Sequence, residues 1–245
     1  MNYTTIIQAR VGSTRRPGKV IELINNEELL SFQINRLKYN QIEPLIVATT
    51  TNSEDDIIEQ ICERNNIGCF RGSATNLIER YLGAIKKNNI DVLIRVGGDD
   101  PLIDPQCIHA LIKQHMEEPA DFIYASHKFG WIYGTAAELI DAKIITEAVN
   151  TITTDLEKEH IIPYIKGSDK FKKVMLYPKD KETLRQDIFL SVDYQEDLDI
   201  VCSVLSHFYQ ENKLYSFTQK ELIDLIDSGL ITMNNKHLQS GFDLT

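Results

Sequence analysis

Across the first 125 residues, short apolar runs alternate with segments of helical period, and this alternation restricts the fold more than any other feature. Residues 3–9 read as a buried strand running into a glycine-bearing loop. Residues 28–39 carry Leu29, Leu30, Phe32, Ile34 and Leu37 at roughly helical spacing, which predicts a helix that turns Gln33 and Arg36 outward. A second buried strand is expected over 44–49, then a helix to about residue 65 with Ser53 as N-cap and acids in its first turn. A third strand at 67–70 leads through a loop into a helix ending near residue 88. A fourth, 91–95, leads through a turn-rich loop into a helix that Pro105 opens and that reaches about residue 116. A fifth strand is expected at 121–125. Such a βαβ series implies an α/β, Rossmann-like fold: a mainly parallel twisted sheet flanked by helices. Ligands of these sheets bind beyond the carboxyl ends of the strands. Three loops leave those ends, 10–19, 71–76 and 97–104, and all are rich in Gly, Arg or Asp, which argues for one shared site.

Beyond residue 125 the period weakens. An extended segment is expected at 131–140, helices at 142–149 and 155–165, a strand at 174–177, and a short strand at 189–192 ending in Asp193. Helices follow at 196–208 and 218–227, and the tail from 228 to 245 has no clear period. No internal repeat or linker interrupts the chain. One domain over 1–245 is expected, with 1–125 as the βαβ core and 126–245 as an embellished second half with a helical C-terminus.

The chain is acidic, with 26 Lys+Arg against 36 Asp+Glu, which argues against a general nucleic-acid or membrane surface. Its four cysteines form no CxxC pair, and no signal peptide or transmembrane run is visible, so a cytoplasmic protein is expected. Against that background the loop of residues 10–19 is an exception. It holds Arg10, Arg15, Arg16 and Lys19 with Gly12, Ser13 and Gly18. The spacing fails GxxxxGK[ST], because five residues separate the glycines and Val20 follows Lys19. Glycines that let backbone N–H groups approach phosphate, with cations beside them, still suit an anion; a solvated basic loop is the alternative. Asp99 and Asp100 follow a strand and two glycines, where carboxylates either hold Mg²⁺ or simply make a turn. Asp193 is a second candidate metal carboxylate or a helix N-cap. The one DxD, Asp197 and Asp199, falls in a predicted helix. No nucleophile signature is present, and a histidine such as His160, taken alone, is more often a satisfied structural residue than a functional one.

These residues together resemble a known family. The stretch IIQARVGSTRRPGKV at 6–20, FRGS at 70–73 with Arg80-Tyr81, Arg95 with GDDPLID at 98–104, EHIIPYI at 159–165 and SVD at 191–193 with EDL at 196–198 are collinear. They resemble the SpsF-like branch, of spore coat polysaccharide biosynthesis, of the acylneuraminate cytidylyltransferase superfamily, related to the CMP-sialic acid and CMP-Kdo synthetases. The resemblance covers residues 6 to about 200. It implies a GT-A-like nucleotidyltransferase fold, a homodimer, and transfer of CMP from CTP to a sugar-like acid with release of pyrophosphate, for surface glycan synthesis. Carried over, Lys19, Arg10 and Asp99 are catalytic. Ala9, Arg10, Gly12, Ser13, Lys19, Ala48, Arg71, Gly72, Ser73 and Gly98 bind nucleotide. Asp99 and Asp193 hold Mg²⁺, and Arg95, Glu138 and His160 face the acceptor. The chain departs from the family pattern at Arg15, where Leu is usual, and at Asp100, Asn76 and Ala136. A GT-A glycosyltransferase using a sugar nucleotide and a non-catalytic nucleotide-binding protein are the alternatives.

Overall fold

The computed structural model describes residues 1–179 and 184–239; the last six residues of the aperiodic tail lie outside them. In chain order the elements are β1 (Tyr3–Gln8), β2 (Leu23–Ile24), β3 (Glu27–Glu28), α1 (Leu29–Tyr39), β4 (Leu45–Thr50), α2 (Asp56–Arg64), β5 (Gly68–Gly72) and α3 (Leu77–Asn88). There follow β6 (Val92–Gly97), α4 (Pro105–Glu117), β7 (Phe122–Ala125), β8 (Glu138–Asp141), α5 (Ala142–Thr151), α6 (Asp155–Glu159), α7 (Ile161–Gly167), β9 (Lys173–Leu176), α8 (Gln195–Gln210) and α9 (Gln219–Asp227).

Seven strands form one sheet in the order β5-β4-β1-β6-β8-β7-β9. β5, β4, β1 and β6 are mutually parallel, and β8 runs antiparallel to both β6 and β7. The βαβ units build the parallel half as the alternation requires. Reversing β8 brings residues 126–137 to the same end of the sheet as the carboxyl ends of β1 and β6. Side chains alternate between faces with period two. Ile7, Val47, Ile94 and Ile123 enter the core beneath α1, α2 and α4. Ile6, Ile46, Leu93 and Phe122 enter the core beneath α3, α5 and α7.

A third core changes the reading of α1. Helices α8 and α9 and residues 188–192 pack on Leu29 and Phe32, while Leu30, Ile34 and Leu37 of the same helix face the sheet. The helix is enclosed, and Gln33 and Arg36, expected to face outward, are 0% and 2% exposed. Other boundaries shift as well. Ser53 opens a 3-10 turn and makes no cap bond to α2. The segment at 131–140 forms a strand only from Glu138, and the expected helix at 155–165 breaks at His160. Pro163 explains the break, because it has no N–H for the carbonyl four residues earlier. The expected strand at 189–192 makes one isolated bridge, Phe189 with Tyr133. Its other backbone bonds run to loops, from Leu190 N–H to Tyr133 O and from Val192 N–H to Asp99 O.

Candidate active site

A cavity of about 700 Å³ opens beyond the carboxyl ends of β1 and β6. Loops 10–19, 74–77 and 97–100 all contribute to its lining, so the three loops picked out in the sequence do share one site. The two glycines that matter most here sit where backbone meets backbone. A Cβ on Gly98 would lie 2.9 Å from Gln8 O, whose hydrogen bond with Gly98 N–H ties β6 to β1. Gly134, at φ +88°, abuts the Ser191 nitrogen, which locks residues 131–134 against residues 190–193.

One polar group in the cavity centres on Lys19. Its ammonium donates to Asp99 Oδ2 at 3.0 Å, Asp193 Oδ1 at 2.9 Å and Val192 O at 2.6 Å, and the residue is 5% exposed. Burial pulls its pKa down, and Asp99 and Asp193 more than offset this, leaving it raised. Arg15 NH1 donates to the other oxygen of Asp193. Asp193 does not cap α8. Tyr194 takes the N-cap position, and the buried Asp197 accepts from the Asp193 and Tyr194 N–H groups at 3.0 and 2.9 Å. Asn235 donates to the second oxygen of Asp197 at 2.7 Å, so this carboxylate of the DxD is fully engaged in holding the loop. Asp100, beside Asp99, has its pKa pushed up to about 8, first by burial and then by the Asp99 charge. Behind it Gln33 donates to Gly97 O and Asp100 O at 2.8 and 2.7 Å.

A second polar group continues the α3-facing rows of the sheet at their carboxyl end. Arg95 pairs in register with Glu138, and its guanidinium meets Glu138 Oε2 at 2.9 Å and Gln8 Oε1 at 3.3 Å. Tyr81 donates to the same Gln8 oxygen. Burial lowers the Arg95 pKa and Glu138 outweighs it, so the guanidinium stays firmly charged. His160, at the break between α6 and α7, also lines the cavity. Between the two groups Arg10 reaches Ala74 O at 3.4 Å and Glu159 at 3.8 Å. Arg80 donates to Ser73 O at 2.9 Å, and burial depresses its pKa.

Of the residues singled out in the sequence, Ala9, Arg10, Ser13, Lys19, Asp99 and Asp193 line the cavity together, and so do Arg95, Glu138 and His160. Gly12, Ala48, Gly72, Ser73 and Gly98 are not among its lining residues. Arg71 points away from it: its guanidinium bonds Asp56 at 2.7 Å, Glu59 at 3.0 Å and the carbonyls of Thr50 and Asn52. Sequence reasoning missed Gln8, Arg80 and Tyr124 in the lining. For Gln8 and Tyr124 a signal existed: each is a polar-tipped residue at the carboxyl end of a strand, directly after an apolar neighbour on the same face (Ile6 and Phe122), where ligands bind.

Among the described residues no group of three or more His, Cys, Asp or Glu is placed to hold a metal ion. Two carboxylates from separate loops do converge on one cationic atom, the Lys19 ammonium. Two hard oxygen donors suit a Mg²⁺ that keeps its waters and shares a substrate phosphate. No helix among the described residues is long and apolar enough to cross a membrane.

A family model described as cytidylyltransferase matches residues 4–224. The chain is 27% identical over 229 residues to the spore coat polysaccharide biosynthesis protein SpsF of Bacillus subtilis, covering 91% of this chain and 92% of that one. It is 30% identical over 145 residues, 58% of each chain, to the 8-amino-3,8-dideoxy-manno-octulosonate cytidylyltransferase of Shewanella amazonensis. Among solved structures it superposes on a cytidylyltransferase from Leptospira borgpetersenii with a TM-score of 0.87 and 30% identity, covering 94% of this chain and 97% of that one.

Proposed function

The chain belongs to the cytidylyltransferase family and is a nucleotidyltransferase, and from that premise we propose that it transfers CMP from CTP to a sugar-like acid, with Mg²⁺ as cofactor and pyrophosphate as the leaving product. The observation that carries the reading is the Lys19 centre: a buried cation shared by two loop carboxylates, inside a cavity that Arg10, Arg15 and Ser13 also line. Asp99 and Asp193 would hold the metal, which when bound supplies charge neutralisation to the polyphosphate. Lys19 and Arg10 bind and orient the phosphates. Ala9 lines the nucleotide side of the cavity, and Ser73 supports it through its carbonyl, which holds Arg80 in the lining. An acceptor oxygen attacks the α-phosphorus in line; the bond to the β-phosphate oxygen breaks, and its electron pair leaves with pyrophosphate. Cations fixed before the reaction stabilise that developing charge without reorganisation. Arg95, Glu138 and His160 orient the acceptor.

By analogy with the spore coat polysaccharide named for SpsF, the product serves a surface polysaccharide; that the enzyme acts as a cytoplasmic homodimer is part of the same proposal. The test is a pyrophosphate-release screen that crosses four nucleoside triphosphates with sugar acids, nonulosonic acids and sugar phosphates. Release that needs CTP, Mg²⁺ and one acceptor class together is expected. Release of a nucleoside diphosphate from a sugar nucleotide would instead establish a glycosyltransferase. The engagement of Asp197 in capping α8 speaks against that outcome, because it takes the DxD out of use.

A further inference from the structure

Asp193 is claimed by two cations of different character. Lys19, on Oδ1, is built in: its ammonium is buried and a third bond to Val192 O fixes it. Arg15, on Oδ2, reaches in from the loop between β1 and β2, and its side chain is 45% exposed against 12% for Asp193. Both carboxylate oxygens are therefore occupied, one by an immobile charge and one by an arm that has solvent to move into.

We propose that Arg15 is an exchangeable counter-ion on Asp193, which yields that oxygen to a divalent cation and passes to the polyphosphate, so that metal and nucleotide enter together. This rests on the assignment of Asp193 as a metal carboxylate. A poorly solvated carboxylate gives up a cation at high cost unless another replaces it, and a displaced guanidinium likewise needs a new anion. A metal ion arriving alone displaces Arg15 from Asp193 and brings no anion to receive it. A metal ion arriving with a triphosphate brings the phosphate oxygens that a guanidinium binds best. Arg15 thus ties the two binding events: each is weaker without the other. Lys19 cannot make the same exchange, because leaving Asp193 would also break its bonds to Asp99 and Val192.

The test follows Mn²⁺ binding by electron paramagnetic resonance on the full chain, with and without CTP, in wild type, Arg15→Gln and Asp193→Asn. CTP binding is measured in parallel by calorimetry. Arg15→Gln is expected to bind Mn²⁺ without nucleotide about tenfold more tightly than wild type and to bind CTP about tenfold more weakly, within the usual range of coupling between sites. A residue that merely shapes the loop would not move the two affinities in opposite directions. Unchanged or weaker Mn²⁺ binding in Arg15→Gln, with Asp193→Asn still weakening Mn²⁺ in the presence of CTP, overturns the counter-ion role and leaves the metal assignment standing. If Asp193→Asn leaves Mn²⁺ binding with CTP unaffected, both fall. Arg15 is half-exposed, so Arg15→Gln should fold, and Arg15→Lys provides a second variant that restores the charge and should restore the wild-type order of affinities.

Discussion

Lys19 holds together two carboxylates that would otherwise repel one another. Replacing it with Met keeps the apolar stem but leaves Asp193 with Arg15 and Asp99 with neither. Removing one partner of a buried pair is expensive. Here solvent at Asp99, whose side chain is 36% exposed, limits the loss of stability to about 2 kcal/mol. Catalysis should suffer far more, with pyrophosphate release falling on the order of 10²–10³-fold in steady-state assays, as when a fixed charge at a transition state is lost. Asp100 offers a pH signature. Its carboxyl shifts from an ordinary 3.8 to about 8 in the fold, so the folded state binds more protons than the unfolded chain across that window. Stability contributed by this group therefore declines as pH rises from about 4 to about 8. Asp100→Asn should flatten that decline in urea midpoints measured from pH 5 to 8. An unchanged slope would mean that Asp100 is not the group responsible.

At the level of elements, what could be read from the sequence depended on how far away a residue's neighbours lie in the chain. The parallel strands and their helices were legible because period two and period 3.6 are local, and Pro105 marked the start of α4 for the same reason. Asp99 and Asp193 were legible as partners because both follow short apolar runs near strand ends. The burial of Gln33 and Arg36 was not, since the partners of Gln33, Gly97 and Asp100, lie 64 and 67 positions on, and two of those of Arg36, Tyr215 and Phe217, lie up to 181 positions on. Residues 189–192 have strand composition, but their neighbours are loops, and composition cannot reveal that. Gln33 turns this hidden contact into function: one side-chain nitrogen on α1 holds both carbonyls that frame the Asp99 turn. Gln33→Leu is close to isosteric and removes both donors, at about 0.5–1.5 kcal/mol for each lost bond, since Gly97 O and Asp100 O keep the Asp100 and Ile103 N–H groups. The expected result is a thermal midpoint several degrees lower and a kcat reduced about tenfold, with KM for CTP changed less because Lys19 and Arg10 remain in place.

On the scale of the whole molecule, two of the three cores meet at α1, the third lies across the sheet, and the site draws on all of them. Asp99 hangs from β6, Arg95 and Glu138 stand on the α3 face, and the loop bearing Asp193 is carried by the layer of α8 and α9. If that layer were a separate domain, Asp193 would move relative to Asp99 and the shared ammonium would not last. Arg36 argues for a single unit. Its guanidinium, with no carboxylate among the described residues in hydrogen-bond reach and with a pKa lowered to about 10 by burial, donates to Ile103 O, Tyr215 O and Phe217 O. It also lies 3.7 Å over the Phe217 ring, which stacks on Phe208 at 4.2 Å. The N-terminal core is thereby bolted to the C-terminal helices. The single tryptophan makes this testable. Trp131 is 5% exposed in the core beneath α1, α2 and α4, and its indole N–H donates to Leu176 O. Phe217 lies in the core with α8 and α9. Phe217→Ala should cost about 3–5 kcal/mol. If the molecule is one cooperative unit, Trp131 fluorescence must report the whole of that loss, with its urea midpoint moving together with far-UV circular dichroism. A Trp131 transition that stays at the wild-type midpoint while the helical signal moves would divide the chain into two units and separate the carboxylates of the site between them.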